Sequence, residues 1–146
     1  MDIWEFQARL TLRLSGWAAA SIAGGMILAG LRHPFWSGFG VQSAGWGIVN
    51  GLIAYFGGMT SRKRRARLPD AMSPERQLIE KKNLSRLLWL NTCLDVLYVL
   101  GGLLLVRSRG RLDRRWRGQG WGIMLQGSFL FVFDLIHALL LRSRQP

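Results

Sequence analysis

Cysteine is nearly absent from this chain of 146 residues: the one present, Cys93, excludes an internal disulfide and any multi-cysteine metal site, and reads as a small packing residue. Acids are scarce as well. Against 20 lysines and arginines stand 8 aspartates and glutamates, a formal net charge of +12. Scarcer still is charge of either sign within four stretches, Leu14 to Leu31, Phe39 to Thr60, Leu87 to Val106 and Gly118 to Leu141. At about 18, 22, 20 and 24 residues, each approaches the roughly 20 a helix needs to cross a bilayer. Helices buried in a soluble protein are rarely so long and so uncharged. Two acids break the pattern, Asp95 in the third stretch and Asp134 in the fourth. An ionisable side chain inside a membrane span costs roughly 2.5–3.5 kcal/mol on insertion scales, and normally points at a partner, a polar cavity or a transport path.

Signatures of catalysis are missing. There is no nucleophile elbow, no HExxH and no paired-histidine motif, and Ser128 has no evident base. Asp134 and His137 lie three apart on one helix face, a common accident, so even with Asp95 nearby no metal site and no cofactor is expected. His33, in Arg32-His33-Pro34, reads as a solvated loop residue. The N-terminus, Met1-Asp2-Ile3-Trp4-Glu5, lacks the positive n-region of a cleavable signal and no small-x-small site follows, so the first helix is expected in the mature protein.

Most of the positive charge lies between the uncharged stretches, in Arg62-Lys63-Arg64-Arg65-Ala66-Arg67 and from Arg107 to Arg117. Nucleic acid is the obvious partner for so basic a chain, but here the cations form short loops between apolar helices rather than a face on a soluble core. Arg62, Lys63, Arg64, Arg65 and Arg67, in a loop over 61–73, are instead placed to attract anionic lipid headgroups. With four spans, the N-terminus, the Ser61 to Arg86 segment and the C-terminal tail share a side and hold 13 of the 20 basic residues. The positive-inside rule then puts both termini in the cytoplasm, against six arginines in one outward loop. Trp4, Trp36, Trp89, Trp116 and Trp121 lie at or near the ends of the stretches, where indole favours the headgroup region; Trp17 and Trp46 lie further in and read as packing residues.

Two helices are predicted to extend beyond the apolar stretches. Ser73-Pro74-Glu75 is a helix start, with Ser as N-cap, Pro at the first position and an acid in the first turn, so helix 3 should run from about Pro74 to Val106. Asp2 can cap a first helix that continues through Phe6 and Leu10. An internal repeat links the halves: Gly45-Trp46-Gly47-Ile48 recurs as Gly120-Trp121-Gly122-Ile123, with Asn50-Gly51 and Gln126-Gly127 after them, and Gly24-Gly25 and Arg9 match Gly101-Gly102 and Arg86. Two spans per repeat imply a parallel pseudo-two-fold along the membrane normal. Small residues every fourth position, Gly16, Ala20 and Gly24 on helix 1 and Gly47 and Gly51 on helix 2, predict the faces where helices pack.

The polar residues within the stretches mark an interior. Asn91 and Asp95 share a face of helix 3 with Tyr98; Gln126, Leu130, Asp134 and His137 lie within a stripe of about 80° on helix 4; helix 2 adds Gln42 and Asn50. A buried acid hydrogen-bonded to neutral donors can fix helix register without any turnover. Alternatively Asp95 and Asp134, flanking one cavity with His137 as relay, can carry a proton or cation.

The segments Phe6-Gln7-Ala8-Arg9-Leu10, Asn50-Gly51-Leu52-Ile53-Ala54, Leu94-Asp95-Val96-Leu97-Tyr98 and Gln126-Gly127-Ser128-Phe129-Leu130-Phe131-Val132-Phe133-Asp134 resemble a family of small bacterial four-helix integral membrane proteins catalogued as a domain of unknown function. The resemblance spans nearly the whole chain. It implies a one-domain bacterial inner-membrane protein and brings no activity, so no site residue is carried over. The expectation is therefore an all-α, four-transmembrane-helix bundle over residues 1–146, built from two parallel-repeat helical hairpins, with helices 1 and 3 extended at the cytoplasmic side. Its function is expected to be that of a non-catalytic scaffold or accessory membrane subunit, alone, as a homodimer or with a membrane-protein partner. The alternative is a small proton- or cation-coupled transporter or channel using Asp95 and Asp134, with Asn50, Asn91, Gln126 and His137 in its polar interior.

Overall fold

The computed structural model describes residues 2–143, and within them the chain is four long helices with no strand. Helix α1 spans Ile3–Ala29, α2 Pro34–Arg67, α3 Pro74–Arg107 and α4 Arg114–Ser143, with a single 3-10 turn at Arg109–Arg111. Met1 and the end of the C-terminal tail, including Arg144, lie outside the described residues. The starts follow local chemistry. Asp2 accepts a hydrogen bond from the Glu5 amide at 2.7 Å to cap α1, and Ser73 accepts from the Arg76 amide at 3.2 Å to cap α3, whose first residue is Pro74.

The basic segment after the second apolar stretch is not a loop. Helix α2 carries Arg62 to Arg67 as its last turns, because lysine, arginine and alanine favour helix and cations complement its C-terminal end. It stops where Pro69 forces Leu68 into an extended conformation, φ −89° and ψ 116°. The arginine-rich segment opposite is likewise mostly helical: Arg107 ends α3 and Arg114, Arg115 and Arg117 open α4, whose Arg115 amide is held by the Asp113 carboxylate at 2.7 Å. Helices α1, α3 and α4 are each long and apolar enough to cross a membrane. Helix α2 falls short of that apolarity, its uncharged stretch being diluted by glycine, Gln42, Ser43, Asn50 and Thr60.

The helices form two hairpins, α1 with α2 and α3 with α4, which meet chiefly through α2 on α4. Both turns lie at one end of the bundle, the turn end; the chain termini and the 68–73 link lie at the other, the terminal end. Close approach depends on glycine, but not at all the predicted positions. A methyl at Gly16 or Gly24 would meet nothing within 4 Å, and Ala20 is exposed, so that face of α1 does not pack. The packed face lies beside it, through Ala18, Ser21 and Gly25. An added carbon at Gly25 would come within 2.8 Å of the Gly40 carbonyl oxygen, and one at Gly47 within 2.9 Å of that of Ala18, whereas Gly51 has ordinary room. In the second hairpin Gly102 stands against Gly120 in the same way, 2.7 Å from its carbonyl oxygen. Gly16→Ala and Gly24→Ala are therefore expected to raise the unfolding midpoint slightly, by about 0.5 kcal/mol, since alanine adds helix propensity where nothing obstructs it.

At the terminal end the feet of the helices share a core. Ile3, Trp4, Phe6, Ala71, Leu88, Ala138 and Leu141 form one buried cluster, and the Trp4 indole donates to the Ala71 carbonyl at 2.9 Å. Trp4 is thus an interior residue tying α1 to the link, not the headgroup anchor its position predicts. Trp17 does pack, stacked on Phe129 with ring centroids 3.6 Å apart.

Candidate functional site

A cleft of about 550 Å³ opens between α2 and α3, which make little direct contact with each other. Trp46 and Tyr98 close it towards the turn end, their rings edge to face at 4.8 Å. Towards the terminal end Arg64 on α2 and Glu80 on α3 close it with an ion pair of 2.5 Å, beside a hydrogen bond from the Ser61 hydroxyl to Gln7. Eighteen residues separate these closures along each helix, a length of about 27 Å. The walls are mostly aliphatic. Val49, Ile53 and Phe56 on one rim and Leu87 and Leu94 on the other remain exposed at the apolar flank of the bundle, where the cleft opens sideways.

Two acids and two amides line the turn-side part of the cleft, apart from the polar residues around Arg64 and Glu80 at its terminal end. Asp95 and Asn91 come from α3, Asn50 from α2 and Asp134 from α4, with Asp95 3% and Asn50 2% exposed. All four line the one cavity, so two acids share it with two amides. Among the described residues three buried side-chain atoms have no hydrogen-bond partner, and two of them line the cleft: the Asp95 Oδ2 and the Asn50 Nδ2, the third being the Ser43 Oγ elsewhere on α2. Each unpaired buried polar group costs about 1–3 kcal/mol, more for a charged one. A carboxylate oxygen and an amide donor left open in one cavity are the means to hold a ligand.

Gln126 and His137 do not belong to this group. Gln126, 1% exposed, accepts from the Trp17 indole at 2.9 Å and donates to the Ser21 hydroxyl at 3.1 Å, so it joins α4 to α1. His137 faces α1 as well: Nδ1 lies 2.6 Å from the Phe133 carbonyl and Nε2 3.2 Å from the Arg13 guanidinium. Since a carbonyl only accepts, Nδ1 carries the proton and Nε2 accepts from Arg13. The ring is occupied on both sides and offers Asp134 no onward relay. The predicted stripe on α4 is divided, Leu130 and Asp134 towards the cleft and Gln126 and His137 towards α1.

Among the predicted headgroup cations, Arg64 is engaged with Glu80 across the cleft. Glu80 is 1% exposed and went unpredicted, because in the charged run Glu75 to Lys82 it reads as one more solvated residue. Only its partner 16 positions away makes it interior. Among the described residues no three His, Cys, Asp or Glu side chains are grouped so as to hold a metal ion.

Fold and cleft together define a helical-bundle protein with three helices able to cross a membrane and an acidic pocket between its hairpins. The chain belongs to a family of unknown function (DUF6992), whose model matches residues 13–135. No curated protein and no solved structure matches it.

Proposed function

We propose that this chain is a four-span integral membrane protein that binds a lipophilic cation in the cleft between α2 and α3. The observation that carries the proposal is the unpartnered buried carboxylate oxygen, Asp95 Oδ2, in one cavity with the second acid Asp134; the open Asn50 Nδ2 is a donor and does not contact the cation. An inorganic ion would leave the apolar walls of the cleft unused. An organic cation suits it better, its charge against the acids and its apolar body against leucine, valine and the faces of Trp46, Tyr98 and Phe133. The roof formed by Trp46 and Tyr98 leaves no open path to the turn end, which favours a binding protein or carrier that takes ligand from the lipid side over an open channel.

The membrane reading extends to α2, whose uncharged residues 39–60 are long enough to span although less apolar than the rest. The distribution of basic residues supports both termini on the cytoplasmic side of a bacterial inner membrane. A parallel repeat is supported by the glycine contacts: Gly25 against Gly40 and Ala44 resembles Gly102 against Gly120 and Met124. These pairs are 77 positions apart on the first helices and 80 on the second, so the Gly-Trp-Gly-Ile match, 75 apart, is slipped by five residues. On the corrected register Asp95 answers to Ala18 and Asp134 to Ala54, both buried. A hairpin that packs with alanine at both places has no need of acids for helix register. That weighs against the purely scaffolding role, which Gln126, with its bonds to Trp17 and Ser21, fits better.

Equilibrium dialysis of the protein in nanodiscs against tetraphenylphosphonium tests the proposal, with uncharged triphenylphosphine oxide as control. Wild type should retain the cation above empty discs, and Asp95→Asn should weaken binding about 10- to 100-fold, the worth of a charge-assisted contact. No retention by wild type, or equal retention by the Asn variant, would overturn it.

A further inference from the structure

A second pocket, of about 350 Å³, lies on the other side of α3, between its foot and the end of α4. Lys82, Ser85, Arg86 and Trp89 follow one another at helical spacing on α3, and Arg142 joins them from α4, with Lys81 at the edge. No acid lines it. Among the described residues no carboxylate lies within ion-pair distance of Lys82, Arg86 or Arg142. Three exposed cations are thus gathered between two helices with no described acid to neutralise them, a concentration of positive charge that attracts an anion.

The depth identifies the anion. Trp89 stands at the boundary of the apolar stretch, and Lys82 lies seven residues nearer the terminal end, about 10 Å further along the helix. A layer of that thickness beyond the hydrocarbon is where phospholipid headgroups sit. Leu78 and Leu141 supply apolar surface beside the cations. We infer that this pocket is a site for an anionic phospholipid, its phosphate held by Lys82, Arg86 and Arg142, its ester region against Trp89 and its chains along the exposed face of α3. The site rests on the membrane reading given above but not on the cleft. It is also distinct from the basic end of α2, where Arg62, Lys63, Arg65 and Arg67 follow one another on a single helix end and line neither this pocket nor the cleft.

The test begins with an alkaline wash of membranes carrying the full chain; release of the protein there would refute the membrane reading itself. Purified protein, delipidated in detergent, is then titrated with phosphatidylglycerol, cardiolipin, phosphatidylcholine or soluble glycerol 3-phosphate, and bound lipid is counted by native mass spectrometry. Phosphatidylglycerol and cardiolipin should bind in preference to phosphatidylcholine. Affinity should fall about fivefold for each cation removed in Lys82→Gln, Arg86→Gln and Arg142→Gln. The triple replacement Arg62→Gln, Arg65→Gln, Arg67→Gln, which removes the same charge elsewhere, should leave the tight site in place. If that control weakens binding equally, general attraction to a basic surface replaces the site. If phosphatidylcholine binds as well, or glycerol 3-phosphate competes at the same concentration, the phospholipid assignment fails. A Lys82, Arg86, Arg142 variant that melts like wild type and still loses the lipid excludes misfolding as the cause.

Discussion

Gly118→Leu is expected to lower the stability of the bundle by about 3 kcal/mol, at the upper end of overpacking costs, read as a shift in the sodium dodecyl sulfate fraction at which the protein unfolds from mixed micelles. A carbon at Gly118 would overlap the Phe35 carbonyl of α2, and one at Gly38 would overlap the Arg115 carbonyl of α4. These are backbone atoms in the first turns of α2 and α4 and cannot turn aside as a side chain can. The two glycines oppose each other where the hairpins meet near the turn end, so one leucine must push α2 away from α4 along their shared contact. Without a hydrophobic drive between helices in lipid, that close packing is what holds the hairpins together. Gly118→Ala should show a smaller loss in the same direction. Gly16→Leu, built into open space, should show none; an equal loss there would mean that glycine replacement acts through propensity and not through packing.

The contrast between Gly118 and Gly16 also shows how far the sequence could be read. Long uncharged stretches, Asp2, Ser73-Pro74 and Pro69 are local signals, and the helices they mark are present. Which side of a helix packs is a different matter. Between Gly16 and Gly25 nearly every residue of α1 is glycine, alanine or serine, so several four-residue spacings are equally available. Only the partner helix selects Ala18, Ser21 and Gly25 over Gly16, Ala20 and Gly24. The repeated Gly-Trp-Gly-Ile is a match of letters 75 positions apart, whereas the glycine contacts of the second helices, Gly40 and Gly120, stand 80 apart. The acids and amides of the cleft were legible because an ionisable group in an apolar stretch is costly wherever it points. Gln126 and His137 were drawn in because a stripe of about 80° is wide enough to serve two neighbours. Glu80 was invisible because nothing near it in the chain distinguishes a buried glutamate from a solvated one.

Arg64→Met is expected to cost about 3 kcal/mol, measured by the same unfolding titration, while Glu80→Leu should cost much less. The asymmetry follows from exposure. The Glu80 side chain is 2% exposed and that of Arg64 49%. Removing arginine strands a buried carboxylate, and breaking a buried pair from one side typically costs about 3–5 kcal/mol, here at the lower end because the arginine is itself half-exposed. Removing glutamate leaves a guanidinium that turns into solvent. The double replacement Arg64→Met, Glu80→Leu should recover most of the loss, since apolar side chains of similar size often substitute for a buried pair without penalty. The pair joins the end of α2 to the foot of α3 across the cleft, about 20 Å or more from Asp95 along the helix. Tetraphenylphosphonium binding by the double variant should therefore match wild type, so that the closure at the terminal end governs stability and the acids beneath Trp46 and Tyr98 govern affinity. A double variant that regains stability but loses the cation would place the binding determinant at the Arg64–Glu80 end, and the assignment to Asp95 would have to be abandoned.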